Sequence, residues 1–262
     1  MAKTNYIELP SGVRIPILHE DRATLAIDKP TGWMLVPTGW TQTRRNLQAE
    51  IETSLLARDF WARSRNLKFL RFVHRLDAET TGVLLFVKSP GATKPYSDLF
   101  GTRAVEKIYL AVVRGIPREE KWTCNLPLAP DPHYRGRVVV DSREGKEAVT
   151  EFRVLQKREI GGRNAALIEA RPLTGRSHQI RVHLAESGHA VAGDAFYEPD
   201  VRGGLPGTEE FEMGLRAVEL RYVDPFRRVP VRITAPTESF LKAFGFAATP
   251  RATPAGIRSS GP

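Results

Sequence analysis

The segment Val83-Leu84-Leu85-Phe86-Val87 most narrows what this chain can fold into. It is apolar at every position, shorter than a buried helix, and bounded by Gly82 and by Ser89-Pro90-Gly91, so it reads as a strand buried on both faces. Such a strand must lie inside a sheet that is covered on both sides. Further strand signals occur at residues 24–27, running into the turn Lys29-Pro30-Thr31-Gly32, and at residues 107–113, closed by Gly115. Residues 148–155 and 165–170 flank Gly161-Gly162 at a hairpin-like spacing, and late strands are expected at 215–223 and 229–234.

Helical signals are fewer. Leu47, Ile51, Leu55 and Phe60 recur every four or five residues as one apolar stripe, with Thr43 as a plausible N-cap. Ser177 can cap a helix carrying Ile180 and Leu184 and ended by Gly188, and a short helix is expected over 237–243, stopped by Gly245. Residues 117–146, rich in Pro, Gly and charge, read as loop and hairpin around Val138-Val139-Val140. Strands cluster without helices alternating between them, which predicts an α+β domain with a largely antiparallel sheet. The expected boundaries are an N-terminal extension over 1–17, a body over 18–246, and a basic tail over 247–262 too poor in large apolar residues to fold alone.

With 262 residues and 41% hydrophobic side chains, the chain can fill a core without covalent staples. Its single cysteine, Cys124, reads as a spectator thiol, excludes an internal disulfide and suits the cytoplasm. No stretch approaches the ~20 apolar residues that a membrane span requires. The net charge of +9 favours a polyanionic partner such as nucleic acid. The phosphate-loop, dinucleotide, zinc-protease and hydrolase-elbow signatures are all missing from the sequence. On a helix, His178 and His183 point roughly 140° apart, which argues against a shared metal.

Immediately before the buried strand stands HRLDAETTG, which puts Asp77 at a strand mouth between Leu76 and a turn. A carboxylate there needs a compensating charge, and the best candidate is an arginine of the second basic cluster, TGRSHQIRVH. An ionised, partly desolvated aspartate is a competent nucleophile or base. A structural Asp–Arg pair capping a turn suits the same residues. In the second cluster, Gly175, Arg176 and the first-turn amides would form an anion site, and His178 and Arg181, three apart, would share a face.

The ordered segments HRLDAETTGVLLFVKS, EKIYLAVVRG and LTGRSHQIRVHLAESGHAVAGDAFY resemble the RluA-type pseudouridine synthases, and LAIDKPTG and GKEAVTEFRVL also fit. The similarity runs from about Leu18 to about Pro236. It implies the pseudouridine synthase catalytic fold and the isomerisation of uridine in structured ribosomal or transfer RNA, with no metal, no nucleotide cofactor and a monomer sufficing. It further implies that Asp77 is the nucleophile, that Tyr109 stacks on the target base and acts late as a base, and that Arg181 pairs with Asp77. Arg75, with His74, Arg176 and His178, falls on the substrate-binding side, Arg75 filling the place the flipped base vacates. Two departures from the family pattern stand out: Thr81 replaces the usual Ser, keeping the hydroxyl, and the small N-terminal RNA-binding module of many relatives has no counterpart here. Two other readings fit parts of the sequence: a non-catalytic RNA-binding protein using the same basic groove, and a different glycosidic enzyme with Asp194 as second carboxylate, although AGDAFY fits a turn carboxylate equally well.

Overall fold

The computed structural model describes residues 3–35, 45–198 and 211–247. The chain opens with an antiparallel meander of β1 (Tyr6–Glu8), β2 (Arg14–Glu20) and β3 (Thr24–Lys29). Helices α1 (Leu47–Ala57) and α2 (Phe60–Arg63) precede β4 (Arg71–Phe72), β5 (Thr81–Val87) and α3 (Pro90–Gly101). Then come β6 (Glu106–Arg114), β7 (Lys121–Cys124), β8 (Leu128–Pro130) and β9 (Val138–Val140). The long hairpin β10 (Thr150–Ile160) and β11 (Arg163–Pro172) leads to α4 (Gln179–Glu186). β12 (Leu215–Val223), β13 (Pro230–Thr234) and α5 (Glu238–Ala243) complete the described chain.

One sheet runs in the order β1-β2-β3-β5-β12-β6-β11-β10-β7, with β4 also on β5 and β13 also on β12. β8 and β9 form a separate hairpin. Among the described strand pairs only β5 and β12 run parallel, so the sheet is mixed and mostly antiparallel.

β5 is buried along its whole length because both faces are covered. Leu84 and Phe86 join Leu25, Ile27 and Trp61 in one core, while Val83, Leu85 and Val87 join Tyr96, Leu220 and Ile233 in another. Each fully buried Leu, Val or Phe contributes about 1.5–3 kcal/mol. Gly82, the second residue of this strand, is there for a steric reason. Its φ is +108° and a Cβ there would stand 2.0 Å from the Ala217 carbonyl oxygen, so only glycine permits the parallel contact with β12.

Several local expectations change. The segment before Leu18 is no separate extension: β1 and β2 lie in the main sheet, and Ile7 and Ile15 are fully buried. The α1 stripe stops early, because Arg58 adopts a left-handed φ of 56° and closes the helix, leaving Leu56 86% and Phe60 40% exposed while Trp61 turns inward. Thr43 lies outside the described residues, and Asn46 caps α1, its Oδ1 accepting the Ala49 N–H at 3.1 Å. Helix α3 has no forecast in the sequence, since Gly91, Pro95 and Gly101 all argue against a helix; Pro90 at its first turn is compatible with one. Part of the presumed loop at 117–146 is β7, a sheet edge paired with β10.

Ser177 does not cap α4. His178 occupies that position with a left-handed φ of 53° and makes no capping bond. The turn is tied by Gln179, whose Oε1 accepts from Thr174 Oγ1 at 2.7 Å and the Arg176 N–H at 3.0 Å. Its Nε2 donates to the Val149 carbonyl and to Thr150 Oγ1, both at 2.9 Å, which satisfies the whole amide. The Arg176 amide is therefore spent inside the turn and is not open to an anion.

Candidate active site

Asp77 sits in the loop between β4 and β5, half-buried. That loop is held from below by a residue whose role the sequence did not reveal. Lys29, at the end of β3 and fully buried, donates to the carbonyls of Pro30 at 3.0 Å, Ala78 at 2.7 Å and Thr80 at 2.9 Å. Three carbonyls match the three N–H bonds of an ammonium, and two of them flank Asp77 and Glu79. Burial pulls the Lys29 pKa down to about 7, while the charges of Glu79 and Asp77 oppose that fall. Thr31 Oγ1 adds a bond to the Glu79 carbonyl at 3.3 Å.

Arg181 comes from α4 and is only 2% exposed. Its Nη1 donates to Asp77 Oδ2 at 3.0 Å. The other side of the guanidinium is clamped by Asp194, with Nε to Oδ2 at 2.6 Å and Nη2 to Oδ1 at 2.7 Å. Burial opposes the Arg181 charge, but the bonds to Asp194 and the field of Asp77 more than offset it, so its pKa lies above the ordinary arginine value. Asp194 is itself fully buried and accepts the N–H groups of Phe196 at 3.0 Å and Tyr197 at 3.3 Å. It is thus a turn carboxylate that holds Arg181. Both rings also face the guanidinium, Phe196 at 5.6 Å and Tyr197 at 5.3 Å.

The remaining residues line the same space. Tyr109, on β6 between Ala170 of β11 and Ala217 of β12, is 8% exposed, and burial together with the Asp77 charge raises its pKa. His178 shares a 2.8 Å bond between Nδ1 and the Tyr197 hydroxyl, which also accepts the Val138 N–H at 2.9 Å. Nε2 of the same ring lies 4.0 Å from Asp77 Oδ1. Burial lowers the His178 pKa, against the pull of Asp77, so the neutral ring is favoured.

His74 stacks on Phe100 with ring centres 4.7 Å apart, and its Nε2 accepts the Leu85 N–H at 3.0 Å. Burial, helped by Lys107, takes its pKa down to about 3, so it is a neutral strut fastening the Asp77 loop to β5. Arg176 is exposed and donates from Nε to the Glu147 carbonyl at 2.9 Å. Lys107, on β6, donates to the Thr174 carbonyl at 2.7 Å, and burial with the nearby Arg103 lowers its pKa to about 8. Arg75 is exposed, with no side-chain partner among the described residues.

All seven residues singled out in the sequence border one open cavity of about 580 Å³, which is room for a nucleotide. Among the described residues no three His, Cys, Asp or Glu side chains are grouped to hold a metal, and no helix is long and apolar enough to cross a membrane. Lys29 and Asp194, both buried, are the supports; sequence reasoning missed Lys29 and left Asp194 open between a second catalytic carboxylate and a turn carboxylate. The one available signal was that each stands in a segment of the family pattern, LAIDKPTG and AGDAFY.

A basic cavity built around one arginine-paired carboxylate, with an aromatic ring beside it, suits an enzyme acting on a nucleotide. The sequence matches the RNA pseudouridylate synthase family over residues 23–186. It is 32% identical over 228 residues to the dual-specificity RNA pseudouridine synthase RluA of Vibrio cholerae, covering 86% of this chain and 83% of that one. It is 34% identical over 235 residues to the ribosomal large subunit pseudouridine synthase C of Yersinia pestis, covering 86% and 67%. The fold is similar to that of human RNA pseudouridylate synthase domain containing 1, with a TM-score of 0.67, 27% identity, and 87% and 86% of the two chains covered. The chain belongs to the RluA-type RNA pseudouridine synthases, enzymes that isomerise uridine to pseudouridine in RNA.

Proposed function

We propose that Asp77 is the catalytic carboxylate of this isomerase and that Arg181, locked by Asp194, orients and neutralises it. The 3.0 Å bond between Arg181 and Asp77 on the cavity wall carries this reading. The reaction breaks the bond from N1 of uracil to C1′ of ribose, joins C5 to C1′, loses the C5 proton and adds one at N1, so its atoms balance without a cofactor. Attack at C1′, addition to the ring and removal of a sugar proton each call on the same carboxylate. Tyr109 gives the extruded base a face, consistent with its place beside Asp77. Its raised pKa keeps the hydroxyl neutral at rest, and a step that consumes the Asp77 charge removes one of the two causes of that rise, which suits action as a base late in turnover.

Arg75 fills the gap in the RNA stem, and its exposure and free guanidinium support that role. Arg176 and the Nε2 side of His178 meet the sugar and phosphate of the flipped nucleotide, while His74 serves the site by holding the loop. The substrate is a structured ribosomal or transfer RNA, as the names of the relatives above suggest. The enzyme works as a monomer in the cytoplasm without metal or nucleotide cofactor, and residues 18–246 with the β1–β2 meander form the catalytic domain. Mapping pseudouridine at single-nucleotide resolution in total RNA from cells with and without the gene tests the assignment. A site that disappears with the gene and returns with wild type but not with Asp77→Asn supports it; unchanged modification in both strains overturns it.

A further inference from the structure

Beside the active-site cavity lies a second groove, of about 560 Å³, between α1–α2 and β4. Arg58, Arg63, Lys68 and Arg71 border it, all exposed and with no side-chain hydrogen bond or ion pair among the described residues, against a single carboxylate, Glu52. Glu52 is engaged by Gln48 Nε2 at 2.9 Å. The groove's apolar part includes Leu55, Leu56, Leu67, Phe69 and Leu70, and of these Leu56 is 86% exposed. Arg71 lines both cavities, and from it the chain runs through Phe72 and Val73 into His74, Arg75 and Asp77.

We infer that this groove binds the RNA strand that continues from the flipped uridine, its cations on successive phosphates and Leu56 against a base or ribose. The inference rests on the reading of the first cavity as the uridine site. Charge decides the occupant. Four unneutralised cations around a narrow apolar floor suit a polyanion that carries its own flat apolar groups, whereas a protein helix of ordinary composition would leave those charges facing its apolar side. Position decides which polyanion: a strand leaving the first cavity past Arg71 enters the second directly. Arg58 is placed by the left-handed turn that ends α1, so the early closure of that helix builds the groove.

The test compares the charge reversal Arg58→Glu/Arg63→Glu/Lys68→Glu with a control of equal charge around the β10–β11 turn, Arg118→Glu/Arg163→Glu/Lys242→Glu, whose residues are also exposed. Affinity is measured for a natural structured RNA containing the target and for a minimal stem-loop that ends a few nucleotides beyond the uridine. The groove variant is expected to bind the long RNA more than tenfold more weakly, with a salt slope reduced by about 2 to 3, while the control shifts affinity by about twofold or less. The minimal stem-loop should separate the two variants far less. Equal losses in both triple variants, or an unchanged salt slope in the groove variant, overturn the proposal, as does retained RNA affinity with loss of a co-purifying protein. Leu56→Asp supplies a milder second variant, and circular dichroism with Tm verifies that each is folded. Because binding is measured without turnover, absence of pseudouridine formation by wild type would reject the catalytic reading separately and leave the groove's result standing.

Discussion

Arg181 and Arg75 border the same cavity and have opposite fates. Arg181 is 2% exposed, carries three hydrogen bonds to two carboxylates and cannot move without breaking a buried network. Arg75 is exposed and has no side-chain partner among the described residues. A buried cation bonded from Nε and both Nη atoms sets the position and charge of a carboxylate. An exposed one is free to follow a substrate, and its interactions are realised only when RNA arrives. The active site therefore divides into a rigid wall, Lys29–Asp77–Arg181–Asp194, and a wet rim, Arg75, Arg176 and the groove beyond Arg71.

The largest effect should come from the wall's reacting group. Asp77→Asn is expected to lower the rate of pseudouridine formation by more than ~1000-fold while RNA affinity stays near wild type, checked by single-turnover kinetics and filter binding. Full residual activity would break the catalytic reading.

Next in size are the supports. Arg181→Met removes the partner of Asp77 but also strands the fully buried Asp194, so it should cost about 3–5 kcal/mol of stability as well as most activity. The double variant Arg181→Met/Asp194→Asn should recover much of the Tm and none of the turnover. Recovery of turnover would show that the pair is structural only, and thermal melts beside kinetics decide the point.

On the rim, Arg75→Ala should leave folding stability within about 0.5 kcal/mol of wild type and raise KM roughly tenfold, since it removes an exposed group that acts only on substrate. If Arg75→Ala instead lowers Tm strongly, the division between wall and rim fails.

The last test is a pH dependence. Burial holds the Lys29 pKa near 7 in the folded protein against 10.5 for a free lysine. Between those values the unfolded chain binds the proton and the folded chain does not, so this group makes stability rise with pH from about 7 to about 10.5. Denaturant titrations across that window should show the rise in wild type and a flatter profile in Lys29→Met, which is also less stable because three carbonyls lose their donor.

Much of the molecule could be read from its residues. β5 was legible because five consecutive apolar positions admit only a doubly covered strand, and the β10–β11 hairpin because Gly161-Gly162 marks its turn. Helix α3 was not, since its Gly and Pro content contradicts the helix that tertiary packing of Ala92 and Tyr96 imposes. The cap of α4 was misread for a related reason: the turn is held by a glutamine reaching to four strand and loop neighbours, which no local pattern reveals.

By itself the sequence determined the sheet-rich class, the polyanionic partner and the identity of the residues around Asp77, because strand period, charge excess and ordered motifs are local properties of the chain. Tertiary structure alone decided that Asp194 serves Arg181 rather than the substrate, that Lys29 braces the Asp77 loop, and that Leu56 is left bare beside unpaired cations. The first two assignments depend on which buried groups meet across separations of 13 to 51 residues, and burial makes each partner obligatory only once the chain has folded.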